Sequence, residues 1–297
     1  MALPDNNSLP ARAGAPSLTT IPLELRHQIF SYVSERPEGP EKLLRKWFER
    51  QEIDQIIASR RAAQGNPTED DDEDDDNDDG EHDEDDDEDM EDSEDDQDTQ
   101  TRVEASTKWR HITSIMRVSR CPPPTSLLLT CKSIHEEAMN WYYDVATLKL
   151  NASAGYAHTT FFEEALQQMA NAPFSPIENI RRCEVKIFYD SDFISTESQA
   201  IPSIFQAMLR IRAELVIELL CQAPGLKYLK LKWYDSSTTP EAITFKRDIL
   251  DQFDQLFAEI TIEEHIIASG TEPSEDSPHG QFRLELADLV TRGHAFH

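Results

Sequence analysis

The chain has 297 residues and a formal net charge of −30, from 58 acidic and 28 basic residues. Residues 69–98 contain 24 of the acidic side chains, so the remainder holds 34 acidic against 28 basic residues, as in an ordinary globular domain. The overall charge disfavours nucleic acid as a partner, because phosphate contacts dominate the affinity for nucleic acids and a negative field repels phosphate.

A short amphipathic helix is predicted at residues 21–33, directly after a disordered lead at residues 1–17. Projection at about 100° per residue gives this helix two apolar faces. The first face consists of Leu25, Ile29, Tyr32 and Val33. The second face consists of Leu23 and Phe30, preceded by Leu18 and Ile21. One face is enough to join the protein's own core, so we expect the second to meet another part of the chain or a protein partner.

A second helix is predicted from about residue 41 to residue 63, where apolar side chains recur at helical spacing. It is followed by an acidic insert, residues 64–102, which is predicted to be disordered. Ordering the backbone costs about 1–2 kcal/mol per residue, and the insert has almost no apolar area to offset that cost.

Residues 103–150 are predicted to contain a basic segment, a long helix and a strand. Three consecutive prolines, at 122–124, end the basic segment, because the residue before a proline is biased away from helix. Apolar residues then recur at helical spacing through residues 125–145, and residues 146–150 are predicted as a strand.

The C-terminal region, residues 151–297, is predicted to alternate helices with strands. The helices are predicted at 161–169, 204–222 and 245–260, and the strands at 180–189, 226–233 and 281–286. The first two strands share an apolar spacing that resembles the strand of a leucine-rich repeat. Because only two such units occur, 46 residues apart, the pattern predicts a small α/β layer and not a full solenoid. The fold class expected for the whole chain is therefore α+β.

The segment LTTIPLELRHQIFSYV, at residues 18–33, resembles the first helix of an F-box. The segment SLLLTCKSIHEEAMNWYYDVATLKL, at residues 126–150, is similar to the second conserved stretch of a group of uncharacterised fungal F-box-like proteins. The matching residues of the first segment are Ile21, Pro22, Glu24, Leu25, Ile29, Phe30, Tyr32 and Val33. Those of the second are Leu128, Thr130, Cys131, Lys132, Ile134, Glu137, Ala138, Tyr142 and Leu148.

The resemblance implies a substrate adaptor for a cullin-type ubiquitin ligase. Its partners would be the linker subunit, the cullin complex and an unidentified protein substrate, which the C-terminal region would hold. The residues that it assigns to partner binding, with the apolar residues before the helix, are Leu18, Ile21, Pro22, Leu23, Leu25 and Phe30. The adaptor would hold the substrate near the ligase and would catalyse no reaction itself.

The spacing of the two segments departs from a compact F-box, because Val33 and Leu127 are 94 positions apart. Either the insert loops out and the helices still meet, or the docking function has been lost and the first helix remains only as core. A different class of function stays open as an alternative. In that hypothesis the chain is an acidic scaffold or chaperone-like protein, which binds basic partners through residues 69–98.

No motif for catalysis or phosphate binding occurs in the chain, so we predict no catalytic residue, no enzymatic activity and no cofactor. Cys131 and His135 stand at a spacing that could chelate a metal. Without a second pair of ligands, the pattern favours a buried thiol beside a partly exposed histidine over a metal site.

The remaining composition predicts a soluble protein of the cytoplasm or nucleus. The four cysteines are widely spaced, which favours free thiols in a reducing compartment over a disulfide framework. The first residues lack the charged start and apolar run of a secretory signal. No segment has the roughly 20 consecutive apolar residues that span a bilayer, so no membrane association is expected.

Overall fold

The computed structural model of the protein describes residues 17–35, 39–64, 104–156, 159–172, 175–197, 201–268 and 272–294. Internal contacts divide the chain into two compact units, of which the larger comprises Met1–Arg45 and His111–His297 and the smaller comprises Lys46–Arg110. The predicted lead and almost all of the acidic insert lie outside the described residues.

Ten helices and five strands make up the described part of the chain. The helices are α1 (Leu23–Ser34), α2 (Lys42–Gln64), α3 (Ile112–Ile115), α4 (Thr125–Leu128), α5 (Lys132–Val145), α6 (Thr159–Asn171), α7 (Ser191–Glu197), α8 (Ile201–Cys221), α9 (Pro240–Leu250) and α10 (Pro278–His294). The strands are β1 (Met116–Val118), β2 (Leu148–Asn151), β3 (Arg182–Phe188), β4 (Tyr228–Asp235) and β5 (Glu259–Ile266). Short 3₁₀ turns cover Leu18–Thr20, Thr107–His111 and Asp251–Gln255.

The five strands form one sheet in the order β1-β2-β3-β4-β5, with β1 antiparallel to β2 and the other pairs parallel. Cys183 lies opposite Leu229 and Val185 lies opposite Leu231, an offset of 46 residues. This is the spacing at which the two apolar strand patterns repeat in the sequence. The predicted α/β layer is therefore present, within a mixed helix and sheet fold that is compatible with α+β.

The helices that connect the parallel strands cover one face of the sheet. Because the strands follow one another in chain order, right-handed crossovers place α6, α8 and α9 on the same side, where α8 contacts both of the others. Apolar side chains of β3 and β4 point to that side and are almost fully buried. They are Cys183, Val185, Ile187, Leu229, Leu231 and Trp233. The core of the larger unit therefore lies between these helices and the sheet.

The sequence-based prediction was wrong at the C-terminal end of the chain. The helix expected at 245–260 ends at Leu250, and β5 follows a 3₁₀ turn. The strand expected at 281–286 is part of α10, in which Phe282 and Leu286 are buried one helical turn apart while Leu284 is 51% exposed. The single helix expected at 125–145 is divided into α4 and α5. Strand β1 and helix α7 were not predicted.

The smaller unit contains most of α2 and the 3₁₀ turn at Thr107–His111. The rings of Phe48 and Trp109 stack with centroids 4.6 Å apart. The carboxylate of Glu52 accepts hydrogen bonds from the indole of Trp109 (2.8 Å) and from the backbone N–H of Ser106 (2.7 Å). These contacts join a segment that precedes the acidic insert to a segment that follows it. None of the helices in the described ranges is long and apolar enough to span a bilayer.

Candidate functional site

Helix α1 begins after Pro22, whose missing N–H costs nothing at the start of a helix, and Glu24 in the first turn complements the helix dipole. Its one large buried side chain is Phe30, which is 0% exposed. Phe30 packs against Ile134, Ala138 and Trp141 of α5, and the rings of Phe30 and Trp141 are 5.9 Å apart at 60°. This arrangement lies within the range typical of favourable aromatic pairs.

Polar contacts fix the same two helices at their surface. Arg26 donates a hydrogen bond to the carboxylate of Glu137 on α5 at 2.7 Å, with both side chains about four-fifths buried. A second guanidinium nitrogen of Arg26 donates to the backbone oxygens of Thr19 and Ile21, so one side chain ties the start of α1 to α5. Near the other end of α1, Arg120 donates to the hydroxyl of Ser31 at 3.1 Å.

The second F-box-like segment therefore lies against the first, although the acidic insert separates them in sequence. Leu127 and Leu128 of α4 pack on the cluster around Phe30, with Tyr142 and Val145 of α5. Burial raises the pKa of Tyr142 to about 12, so its phenol stays neutral and donates to the backbone oxygen of Arg120. The two helices therefore meet, and this packing is compatible with both possibilities left open by the spacing.

The predicted orientation of α1 was wrong. Phe30, which was assigned to the partner-facing side, lies in the core. On the face expected to join the core, Tyr32 is 79% and Val33 37% exposed and Ile29 is half-buried. Leu25 of that face, which was also assigned to partner binding, is 48% exposed. Helical spacing shows which residues share a face but not which face points inward. The wholly apolar ring of Phe30 packs against Trp141 and Ile134, and this tertiary contact sets the inward face.

We call the exposed side of this helix the α1 patch, which consists of Leu25, Ile29, Tyr32 and Val33. The other residues assigned to partner binding lie around the start of the helix. Pro22 is exposed and Leu23 is 47% exposed, whereas Ile21 is half-buried and Leu18 packs against the Phe30 cluster. Tyr32 and Val33 were missed as surface residues.

A second group of polar side chains lies at the carboxyl ends of the strands, where ligand sites often occur in α/β sheets. Asp190 follows β3 with a φ of 43° and is fully buried. His279 and Arg283 of α10 donate hydrogen bonds to its carboxylate at 2.6 and 2.7 Å. Burial raises the pKa of Asp190, but hydrogen bonds and the positive charge of Arg283 together hold the pKa below its usual value, so the carboxylate stays ionised. This group holds α10 against the sheet.

The carboxylate of Asp235, at the end of β4, is similarly occupied. It accepts hydrogen bonds from the backbone N–H and the hydroxyl of Ser191 at 2.9 and 2.6 Å, and from the N–H of Ser236 at 2.8 Å. Asp235 therefore secures the start of α7. Each carboxylate has structural partners through one of its oxygens, and the buried Oδ1 of Asp190 accepts no hydrogen bond from the described residues.

Cys131 is not the buried thiol that the sequence suggested. Cys131 precedes the first residue of α5 and is exposed, as is His135, whose Nδ1 lies 3.3 Å from the backbone oxygen of Leu128. Within the ranges that the structure describes, no three histidine, cysteine or acidic side chains are grouped closely enough to hold a metal ion.

Comparison with known proteins gives no relative for this chain: no family model, no curated protein and no solved structure matches it.

Proposed function

We propose that this protein is a non-catalytic adaptor, whose helix α1 docks onto the linker subunit of a cullin-type ubiquitin ligase. The observation that carries the proposal is the α1 patch. The helix is anchored on one side by Phe30 and Arg26, while Leu25 and Tyr32 on its other side remain largely exposed. An apolar helix face that its own chain leaves uncovered is the kind of surface that a partner's groove recognises.

Two further features support the proposal. The F-box-like segments at 18–33 and 126–150 pack together although Val33 and Leu127 are 94 positions apart, as a working two-segment module would require. The parallel strands with leucine-rich-repeat-like spacing form a separate surface on which a protein substrate could be held. In this proposal α1 binds the ligase and the sheet region binds the substrate. The adaptor acts by holding the two close together and catalyses no reaction itself.

The contact surface in this proposal differs from the one that the sequence suggested. Phe30 is not available to a partner, so its place is taken by Tyr32 and Val33. Leu25 remains in the surface, and Pro22 and Leu23 extend it around the start of the helix.

The test is the affinity of the purified full chain for the purified linker subunit, measured by calorimetry. We expect Leu25→Asp combined with Tyr32→Asp to weaken binding by at least about 100-fold, since apolar anchors each contribute more than about 1 kcal/mol and a charge in the interface adds a desolvation cost. Both side chains are largely exposed, so circular dichroism should show an unchanged fold.

The matched control is Ile204→Asp combined with Phe257→Asp. It places the same two charges at other exposed apolar positions, 57% exposed on α8 and fully exposed before β5. This variant should bind like the unmodified chain. Equal affinity of the α1 double variant and the unmodified chain, or no binding by the unmodified chain at all, would count against the ligase adaptor.

A further inference from the structure

The last strand of the sheet has an unpaired edge. β5 pairs with β4 over eight residues, and among the described residues no strand lies on its other side. The N–H of Glu259 donates to Lys227 and the N–H of Ile267 donates to Asp235, so odd-numbered residues face β4. Because successive residues of a strand alternate in direction, the N–H and C=O groups of the even-numbered residues face outward. These residues are Ile260, Ile262, Glu264 and Ile266.

The side chains of the same residues form an uncovered apolar strip. Ile262 lies beside Leu231 and Ile266 beside Asp235, on the side of the sheet that the helices cover. Leu231 is fully buried, whereas Ile262 is 48% and Ile266 is 77% exposed. The helical layer therefore ends before it reaches β5. A long exposed edge with apolar side chains is rare, because it invites pairing with another chain.

A recess lies beside the end of this strip. Its volume is about 150 Å³, and its walls include Trp233, Ala242 and Ile243 together with Ile266. Polar residues also line the recess, among them Lys246 and Glu264, which form a salt bridge of 2.6 Å. Partners that add a strand to a sheet use backbone hydrogen bonds for affinity and recesses of this kind for alternate side chains.

The charge of the edge indicates which segment would fit. β5 carries Glu259, Glu263 and Glu264 and has no lysine or arginine of its own. Glu263 and Glu264 each contact one lysine, Lys230 and Lys246 respectively. A second copy of β5 would bring the same carboxylates into the pair, and like charges opposite one another destabilise a sheet. A basic segment complements this edge instead.

We propose that the outer edge of β5 binds an extended segment of a partner protein as a sixth strand, in which apolar residues alternate with basic residues. The apolar side chains would cover Ile262 and Ile266, and one of them would enter the recess beside Ile243. The basic side chains would face the carboxylates on the other side of the strand. This binding does not depend on whether α1 docks onto a ligase.

The test uses a fluorescein-labelled ten-residue peptide of alternating valine and lysine, whose affinity for the full chain is measured by fluorescence anisotropy. Two control peptides carry N-methyl groups, one on the valine amides and one on the lysine amides. All three have the same charge, so any attraction to residues 69–98 is shared, and differences between them report backbone pairing. One methylated peptide should bind at least tenfold more weakly than the unmodified peptide, because only one edge of the added strand faces β5.

Variants of the protein locate the binding. Ile266→Lys should lower the affinity for the unmodified peptide at least fivefold. Thr160→Lys adds the same charge at an exposed position on α6 and should leave that affinity unchanged. Equal affinity for all three peptides would overturn the proposal. A dimer of the full chain that Ile266→Lys disrupts, with no peptide bound, would overturn it as well by assigning the edge to a second copy.

Discussion

Phe30→Ala is expected to lower the free energy of unfolding by about 3–5 kcal/mol, the usual cost of removing a buried phenylalanine side chain. Phe30 is fully enclosed, and it is the residue through which α1 meets Trp141, Ile134 and Ala138. Its removal leaves a cavity between α1 and α5, which the surface contact between Arg26 and Glu137 does not fill. Urea denaturation followed by circular dichroism measures the loss.

Tyr32→Ala is the matched control, on the same helix and half a turn away from Phe30. Since Tyr32 is 79% exposed, its truncation should change the free energy of unfolding by no more than about 0.5 kcal/mol. A larger loss for Tyr32→Ala than for Phe30→Ala would mean that α1 is turned the other way, with the α1 patch in the core.

The second large effect is expected at Arg212, a buried arginine on α8 that is 3% exposed. Its guanidinium donates to the backbone oxygens of Ala152, Ala154 and Gly155 at 2.7 to 3.1 Å. It also lies over the rings of Tyr156 and Phe162, at 4.2 and 4.4 Å from their centroids. The turn that it holds includes Gly155 at a φ of 65°, a conformation that favours glycine. Arg212 therefore fixes the chain after β2 to the helical layer.

Arg212→Ala should lower the free energy of unfolding by at least about 3 kcal/mol, because buried carbonyl groups lose their donors and a cavity opens between two rings. Arg212→Lys should lower the free energy of unfolding by an intermediate amount, since a single ammonium cannot reproduce the planar fork of a guanidinium.

The matched control is Arg210→Ala on the same helix, where the side chain is 42% exposed and pairs with Asp248 at 3.8 Å. That change should cost about 1 kcal/mol or less in chemical denaturation. Similar losses for Arg210→Ala and Arg212→Ala would contradict a structural role for the buried guanidinium.

Much of the sheet and its helices could be predicted from local patterns. The predictions near α2, α6, α8, β3 and β4 were correct to within a few residues, because the apolar spacing in these segments is compatible with one period only. The offset of 46 residues between two strand patterns also corresponds to the pairing of β3 with β4. What one pattern could not show was the number of strands. The two strands that were not predicted lack the full apolar spacing, because β1 has only three residues and β5 is largely exposed.

The errors arise where a local pattern fits two structures. Phe282, Leu284 and Leu286 alternate with charged residues as in a strand, yet Phe282 and Leu286 are also one helical turn apart. The helix is selected by tertiary contacts, since Phe282 packs near Phe188 and Phe205 while His279 and Arg283 reach Asp190. None of those partners is near in sequence.

The candidate site was predicted in position but not in orientation. The location of α1 and its partner α5 followed from the resemblance and from helical spacing. Which side of α1 faces inward depends on Trp141, more than 100 positions later in the chain, and no local pattern contains that information.

Hydrogen–deuterium exchange of the full chain, with and without the purified linker subunit, tests the docking of α1 most directly. The adaptor proposal predicts slower exchange on binding in peptides that cover residues 18–35, because the partner would cover the α1 patch and suppress local opening of the helix. It predicts little change in β3 and β4. Unchanged exchange at residues 18–35, or protection confined to other parts of the chain, would contradict it.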